Sequence, residues 1–466
     1  MHLGDLAGAA VLVAGARVTG AAAAAALADL GARVTVTDGS AAQLETLTDP
    51  RAERAVGLAA PPAGTALVVT SPGFRPDAPL LAAAARAGVP VVGDVELAWW
   101  LDRARPQPAD WLVVTGTNGK TTTVGMLQSI LRAAGVDAVA CGNVGLPVTD
   151  AVRAGHRVLA VELSSFQLHW SRSLRPRAAT VLNLSADHLD WHGSMAAYAA
   201  AKASVYGEGT LAVVNADDPP SAALAAGRET VTFRLGAPAA GELGVVGREG
   251  PSVVDGTLVD RAFADGAALA AVVDIQPAGP HNVANALAAA ALARAHGVAA
   301  GAVAAGLAAF TPGGHRSVLV GEHAGVRYID DSKATNPHAA RAALLAHSRV
   351  VWVAGGLLKG GDVDYLVADT ASRLVGAVLL GADRAVIGSV LARHAPEVPV
   401  RVVDSGDDGA MIEVVRAAAA LARPGDVVLL APAAASMDMF TDYASRGRAF
   451  AAAVAGLDAA AVSRPW

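Results

Sequence analysis

At 466 residues the chain is too long for one compact core and fits about three domains at roughly 150 residues each. A net charge of −6, a pI near 6.0 and 4% aromatic residues argue against a general nucleic-acid binder or a base-stacking surface. A mean hydropathy of +0.41 looks membrane-like, but the excess is largely alanine, and the charge-free runs 55–74 and 297–314 are broken by prolines or built mostly of Ala and Gly.

One cysteine, Cys141, leaves no internal disulfide and fits a reducing compartment. The first residues lack a basic region followed by an apolar stretch, so the expected location is cytoplasmic, without membrane insertion. In chain order, residues 10–13, 34–37, 66–70, 111–115, 158–162, 180–184, 211–215, 350–354, 376–380 and 426–431 read as strands. Such continuous apolar runs suit strands buried on both faces of a parallel sheet. Ala/Leu-rich stretches between them, such as 20–30 and 121–134, suit right-handed helical crossovers. The expected class is α/β throughout. Residues 103–110 carry two prolines before a fresh strand, and 311–315 form a Pro/Gly break after a helix. These joints give three pieces: 1–104, 105–312 and 313–466. Residues 236–271 lack helical periodicity and are expected to add a small β element to the middle piece.

The sharpest local signal lies at residues 111–123. A strand ends at Thr115, the turn Gly116-Thr117-Asn118-Gly119 follows, and Lys120, Thr121 and Thr122 open a helix. Backbone N–H groups at such a turn face phosphates, the lysine adds a point charge and a threonine hydroxyl reaches Mg²⁺. Val114 stands where the strict motif has a glycine. The segment Gly15-Ala-Arg-Val-Thr19-Gly20, followed by Asp38 at the end of the next strand, resembles a dinucleotide fingerprint missing a glycine. A ligand-free Rossmann-like turn is the alternative. Ser71 and Gly73 end another strand of the same sheet and either line that crevice or form a plain turn. Glu162 ends a buried strand, where it serves as a second Mg²⁺ contact or only as a helix-start carboxylate.

The cluster Asn183…Asp187-His188-Leu-Asp190-Trp-His192 also begins at a strand end and suits metal binding or proton transfer, although it lacks the spacing of a zinc peptidase. Lys202 sits among small residues, and composition alone favours a lysine that snorkels to solvent. His315-Arg316, Asp331-Ser-Lys333-Ala-Thr335-Asn-Pro, Lys359 and Ser436 follow strands of one presumed sheet and can converge on one crevice rich in positive charge. No Ser/His/Asp or Cys/His nucleophile arrangement is apparent.

Taken together, these motifs resemble the ATP-dependent Mur ligases of peptidoglycan synthesis. The residues carrying the resemblance are Gly116–Thr123, Cys141–Gly145, Glu162–Leu168, Asp187–Asp190, His281–Asn285, His315-Arg316, Asp331–Pro337, Ser436–Phe440 and Arg446-Gly447. The last three look like those of the branch that adds D-glutamate. The resemblance implies a UDP-binding Rossmann-like domain, a central P-loop ATPase-like domain and a C-terminal Rossmann-like domain. It implies amide formation between UDP-N-acetylmuramoyl-L-alanine and D-glutamate through an acyl phosphate, with release of ADP and phosphate. By the same resemblance Gly116–Thr122, Asn282, Asn285, Arg316 and Asp331 contact ATP, and Lys120, Lys202, His188 and Lys333 are catalytic. Thr121, Glu162, His188 and a carbamylated Lys202 hold Mg²⁺, expected as two ions. Thr19, Asp38, Ser71, Gly73 and Asn143 contact the UDP-sugar. Thr335, Lys359, Ser436 and Tyr443 hold D-glutamate, with tyrosine standing where relatives have phenylalanine. A monomer acting on small molecules is expected. Rival readings are a sister or folylpolyglutamate-type ligase, a nicotinamide-dependent oxidoreductase built on the first domain, and a nucleotide-switched regulatory protein.

Overall fold

The computed structural model describes residues 3–247, 256–404 and 409–461. Three sheets organise the chain. The first contains β1 (Ala10–Ala14), β2 (Arg33–Asp38), β3 (Ala52–Val56), β4 (Thr65–Thr70) and β5 (Val91–Gly93). Its order is β3-β2-β1-β4-β5, and every pair is parallel. Val11 and Val13 pack into one core while Leu12 and Ala14 pack into another across the sheet. This alternation explains the unbroken apolar run, because a strand covered on both faces has no polar side.

The second sheet holds β6 (Asp110–Thr115), β7 (Ala138–Gly142), β8 (Val158–Glu162), β9 (Ala178–Val181), β10 (Leu211–Asn215), β11 (Thr230–Phe233), β12 (Glu242–Val246), β13 (Thr257–Asp260) and β14 (Ala267–Ala271). Its order is β14-β13-β12-β11-β10-β9-β6-β8-β7. The β12–β13 and β13–β14 pairs are antiparallel and the others parallel. The β element expected over 236–271 is therefore an extension of this sheet's edge, with residues 248–255 outside those described. The strand expected over 180–184 ends earlier, at Val181, because Asn183 leaves the ladder to bond the turn after β6.

The third sheet holds β15 (Val318–His323), β16 (Val326–Asp330), β17 (Val350–Gly355), β18 (Leu374–Leu380), β19 (Val400–Val402) and β20 (Val427–Leu430). Its order is β15-β16-β20-β17-β18-β19, with only the β15–β16 pair antiparallel. Val350, Trp352 and Ala354 enter one core, and Val351 and Val353 enter the core on the opposite face. The chain resolves into two compact units. One comprises Met1–Asp274 with Ala284–Phe310 and carries the first two sheets; the other comprises Ile275–Val283 with Thr311–Trp466 and carries the third.

Within the first unit the proline-bearing segment after the helix Asp94–Arg103 is fastened. The buried Asp102 carboxylate accepts from Arg103, from Arg105 at 3.0 Å, from the Ala109 amide at 3.0 Å and from Trp111 Nε1 at 3.0 Å. The run 297–314 supplies the helix Ala300–Ala309. A Cβ on its Gly306 would lie 2.3 Å from Ile130 Cα, so the small residues there serve close helix packing. No helix among the described residues is long and apolar enough to cross a membrane.

Candidate active site

The turn after β6 is built by glycines that cannot be replaced cheaply. Gly116 has φ +146° and Gly119 φ +85°, backbone conformations that L side chains rarely adopt. A Cβ on Gly119 would also lie 2.4 Å from Asn285 Oδ1, which places that asparagine against the turn. The end of β9 clamps the turn from the side. Thr117 N donates to Asn183 O at 3.1 Å and Asn118 N to Asn183 Oδ1 at 2.9 Å. Thr117 Oγ1 lies 3.0 Å from Tyr198 OH and accepts from Ser185 N at 3.0 Å. The helix Lys120–Ala133 begins directly behind, with Thr121 and Thr122 in its first turn.

Two lysine side chains meet on one carbonyl. Lys120 Nζ donates to Gly116 O at 3.0 Å and Thr117 O at 2.9 Å, and Lys202 Nζ donates to Gly116 O at 2.8 Å. Lys202 is 1% exposed, so the snorkelling reading fails: its helix, Met195–Ala203, turns it inward over the Tyr198 ring. Burial drives its amine well below the ordinary lysine range, and the neighbouring Lys120 charge adds to that. Burial also lowers Lys120, opposed by the charges of Glu162 and Asp187. Glu162 is itself buried at the end of β8, and its Oε1 accepts from Asn143 Nδ2 at 2.9 Å. His188 is partly exposed, at φ +53°, with Nε2 3.6 Å from Asp187 Oδ2 and its ring 4.7 Å from Phe166. Asn143 therefore sits beside Glu162, while the other residues expected to hold the UDP-sugar gather elsewhere.

That second gathering lies where β1 and β4 diverge in chain order, the position at which open α/β sheets place ligands. Gly15, Thr19, Asp38, Ser71, Gly73 and Phe74 line a cavity there, together with Arg17 and Arg75. The two arginines were missed from sequence, although Arg17 stands in the position of the missing fingerprint glycine. A Cβ on Gly20 would come within 1.8 Å of Gly15 O, so the turn and its helix touch backbone to backbone. Asp38 closes the turn: its Oδ2 accepts from Ala16 N at 2.9 Å and its Oδ1 from Ser40 N at 3.0 Å. Arg75 Nη1 donates to Asp190 O at 2.7 Å, linking this cavity's rim to the Asp187–His192 segment.

In the second unit the loops after β16, β17 and β20 converge on Arg446. It is 1% exposed, donates from Nε to Ser332 Oγ at 2.9 Å and from Nη2 to Ser332 O at 2.9 Å, and reaches Ala434 O at 3.1 Å. Burial lowers its pKa to about 10. The adjacent Gly447 leaves room for a hydrogen-bonded pair: His315 Nδ1 lies 2.6 Å from Asp330 Oδ2, and a Cβ on Gly447 would overlap both. Burial pushes the Asp331 carboxyl up to about 7, with the Asp330 charge adding to the rise and Arg316 opposing it. Lys333 Nζ lies 4.0 Å over the Tyr443 ring. Thr335 follows on the same loop, Lys359 is exposed at φ +51° after β17, and Ser436 is buried after β20. Asn282 pairs with His281 at 3.0 Å and belongs to this unit, whereas Asn285 belongs to the other.

The lysine inventory adds a signal that motif reading overlooked. Lysine and arginine together number 36, yet only four are lysines: Lys120, Lys202, Lys333 and Lys359. All four lie at the sites just described. Arginine carries the remaining positive charge.

Residues 114–293 match the Mur ligase middle domain, and residues 315–434 match the Mur ligase glutamate ligase domain. The UDP-N-acetylmuramoylalanine–D-glutamate ligase of Nocardia farcinica is 54% identical over 97% of this chain and 98% of its own length. The enzyme of the same name from Thermobifida fusca is 55% identical over 97% of this chain and 99% of its own. Among solved structures, the UDP-N-acetylmuramate–alanine ligase of Thermotoga maritima superposes with a TM-score of 0.58 over 98% of this chain and 100% of that one. At 18% identity this likeness speaks for the fold alone. The full-length relatives and the two domain matches together show that the chain belongs to the Mur ligase family, among the UDP-N-acetylmuramoylalanine–D-glutamate ligases.

Proposed function

We propose that this chain joins D-glutamate to UDP-N-acetylmuramoyl-L-alanine at the expense of ATP, in the cytoplasm, as a monomer. The observation that carries the reading is the pair of lysines, Lys120 and the buried Lys202, on the Gly116 carbonyl at the start of a helix, in the same unit as the buried Glu162. Phosphoryl transfer to a carboxylate needs charge neutralisation and positioning more than a nucleophilic side chain. The terminal alanyl carboxylate attacks the γ-phosphorus, and the bond to ADP breaks. The D-glutamate amine then attacks the acyl carbon, phosphate leaves, and the amine's proton is lost.

The donor set fits Mg²⁺. A single buried carboxylate, Glu162, with the Thr121 hydroxyl and substrate phosphates, is the sparse oxygen set that Mg²⁺ accepts while keeping water. When bound, Mg²⁺ neutralises charge on the transferring phosphoryl group. Two ions, held by Thr121, Glu162, His188 and a carbamylated Lys202, form part of the proposal. The depressed Lys202 amine supports it, because the unprotonated form is the one that combines with carbon dioxide.

In this reading Gly116–Thr122, Asn282, Asn285, Arg316 and Asp331 bind ATP, and Lys120 and Lys333 hold the transferring phosphate. Thr19, Asp38, Ser71, Gly73 and Asn143 hold the UDP-sugar, while Thr335, Lys359, Ser436 and Tyr443 receive D-glutamate. Residues 1–104, 105–312 and 313–466 form the UDP-sugar, ATP and amino-acid domains. Phosphate release from Mg-ATP with UDP-N-acetylmuramoyl-L-alanine tests this, comparing D-glutamate with L-glutamate, meso-diaminopimelate, L-lysine and no amino acid. Release with D-glutamate alone is expected. Release with another amino acid would assign a sister ligase, and release independent of amino acid would overturn the ligase reading.

A further inference from the structure

We propose that Ser332, Tyr443 and Arg446 form a clamp that fixes the ammonium of Lys333. The proposal rests on the ligase reading for the reaction that Lys333 serves, but the clamp stands on geometry within one compact unit. The Ser332 hydroxyl is fully buried and works in both directions: it accepts from Arg446 Nε at 2.9 Å and donates to Tyr443 O at 2.8 Å. Arg446 Nη2 also donates to Ser332 O at 2.9 Å, so the guanidinium holds that residue by both hydroxyl and carbonyl. The Tyr443 backbone is thereby tied to the residue preceding Lys333, and its ring lies under the Lys333 ammonium at 4.0 Å. A ring face at that distance attracts a cation and restricts a side chain with four rotatable bonds.

A guanidinium so buried would ordinarily be expected to face a carboxylate. Here it donates to a hydroxyl and to the backbone carbonyls of Ser332, Gly355 and Ala434. Arg446 and Ser332 are therefore positioning residues. Tyr443 acts on Lys333 through its ring, in addition to any contact with the amino acid. The phenol oxygen has no part in the clamp, so phenylalanine should serve equally.

The scarcity of lysine supplies a readout independent of activity. Brief acetylation of the whole protein, read by peptide mass spectrometry, reports Lys333 against the exposed Lys359 as an internal reference. Tyr443→Phe, which keeps the ring, should leave this ratio near the parent value. Tyr443→Leu should change the ratio roughly fivefold and lower kcat about tenfold at saturating D-glutamate. Ser332→Ala, which unties the bridge but keeps the ring, should move both readouts the same way by less. An unchanged acetylation ratio in Tyr443→Leu would overturn the clamp. So would a rise in KM for D-glutamate alone with kcat preserved, which would make Tyr443 a substrate contact only. Because acetylation is measured without substrates, absence of D-glutamate-dependent turnover in the parent would count against the ligase reading and not against the clamp.

Discussion

The turns after β1 and β6 use the same backbone device with opposite electrostatics. Each follows a buried parallel strand, opens a helix and depends on a glycine that admits no Cβ: Gly20 against Gly15 O, Gly119 against Asn285 Oδ1. At the β6 turn two lysines, the partly buried Lys120 and the buried Lys202, share a carbonyl at the helix start. At the β1 turn no lysine is present; Asp38 ties the turn from inside, and the cations on the cavity wall are Arg75 and Arg17, the latter exposed on the last residue before the helix. A helix N-terminus favours anions in both places, but only the β6 turn buries charge where a transferring phosphate would develop it. The backbone binds; the side-chain charge decides whether the bound group is also activated.

The largest test of this contrast removes the β6 charge. Lys120→Ala should lower kcat about a thousandfold, measured as D-glutamate-dependent phosphate release. An effect confined to KM for ATP would reduce the lysine to a binding role. Next, Gly20→Ala should destabilise the first unit by about 3 kcal/mol or more, since a backbone oxygen 1.8 Å away cannot yield without moving the turn. Thermal unfolding checks this, and wild-type stability would show that the helix start tolerates displacement.

Asp94 supplies a control outside both turns. Burial raises its pKa to about 6, and its Oδ1 has no partner. A carboxyl that binds its proton more tightly when folded stabilises the protein below its unfolded pKa and loses that contribution as pH rises through 6. Asp94→Asn should therefore stabilise by up to about 3 kcal/mol at pH 8, with the gain vanishing toward pH 4. A gain independent of pH would contradict the assignment. The smallest effect is expected for Arg17→Ala, which should raise KM for the UDP-sugar about tenfold, more at low salt than at high, with kcat unchanged.

Much of this is legible in the sequence. Alternation of apolar runs with alanine-rich stretches gave the α/β class because strands such as β1 and β17 feed cores on both faces. The Gly116–Lys120 turn was legible because its conformation demands glycine. Lys202 was misread from composition alone, since a lysine among alanines carries no mark of which way its helix faces. The clamp around Lys333 escaped notice because Ser332 and Arg446 are 114 residues apart and meet only through the order of the sheet. Arg17 was passed over as a defect in a glycine pattern, when it stands on the cavity wall.

Asp102 has a consequence for dissecting the molecule. The prolines after it invite a cut at residue 104, yet the carboxylate stands on one side of that cut while Ala109 and Trp111, two of its donors, stand on the other. A fragment ending there would leave a buried anion with only Arg103 of its four donors, Arg105 being lost as well, and the remainder would carry an indole N–H facing none. The segment that looks most like a linker is a seam. Protease sensitivity and autonomous folding of the first sheet should be sought with that seam kept whole.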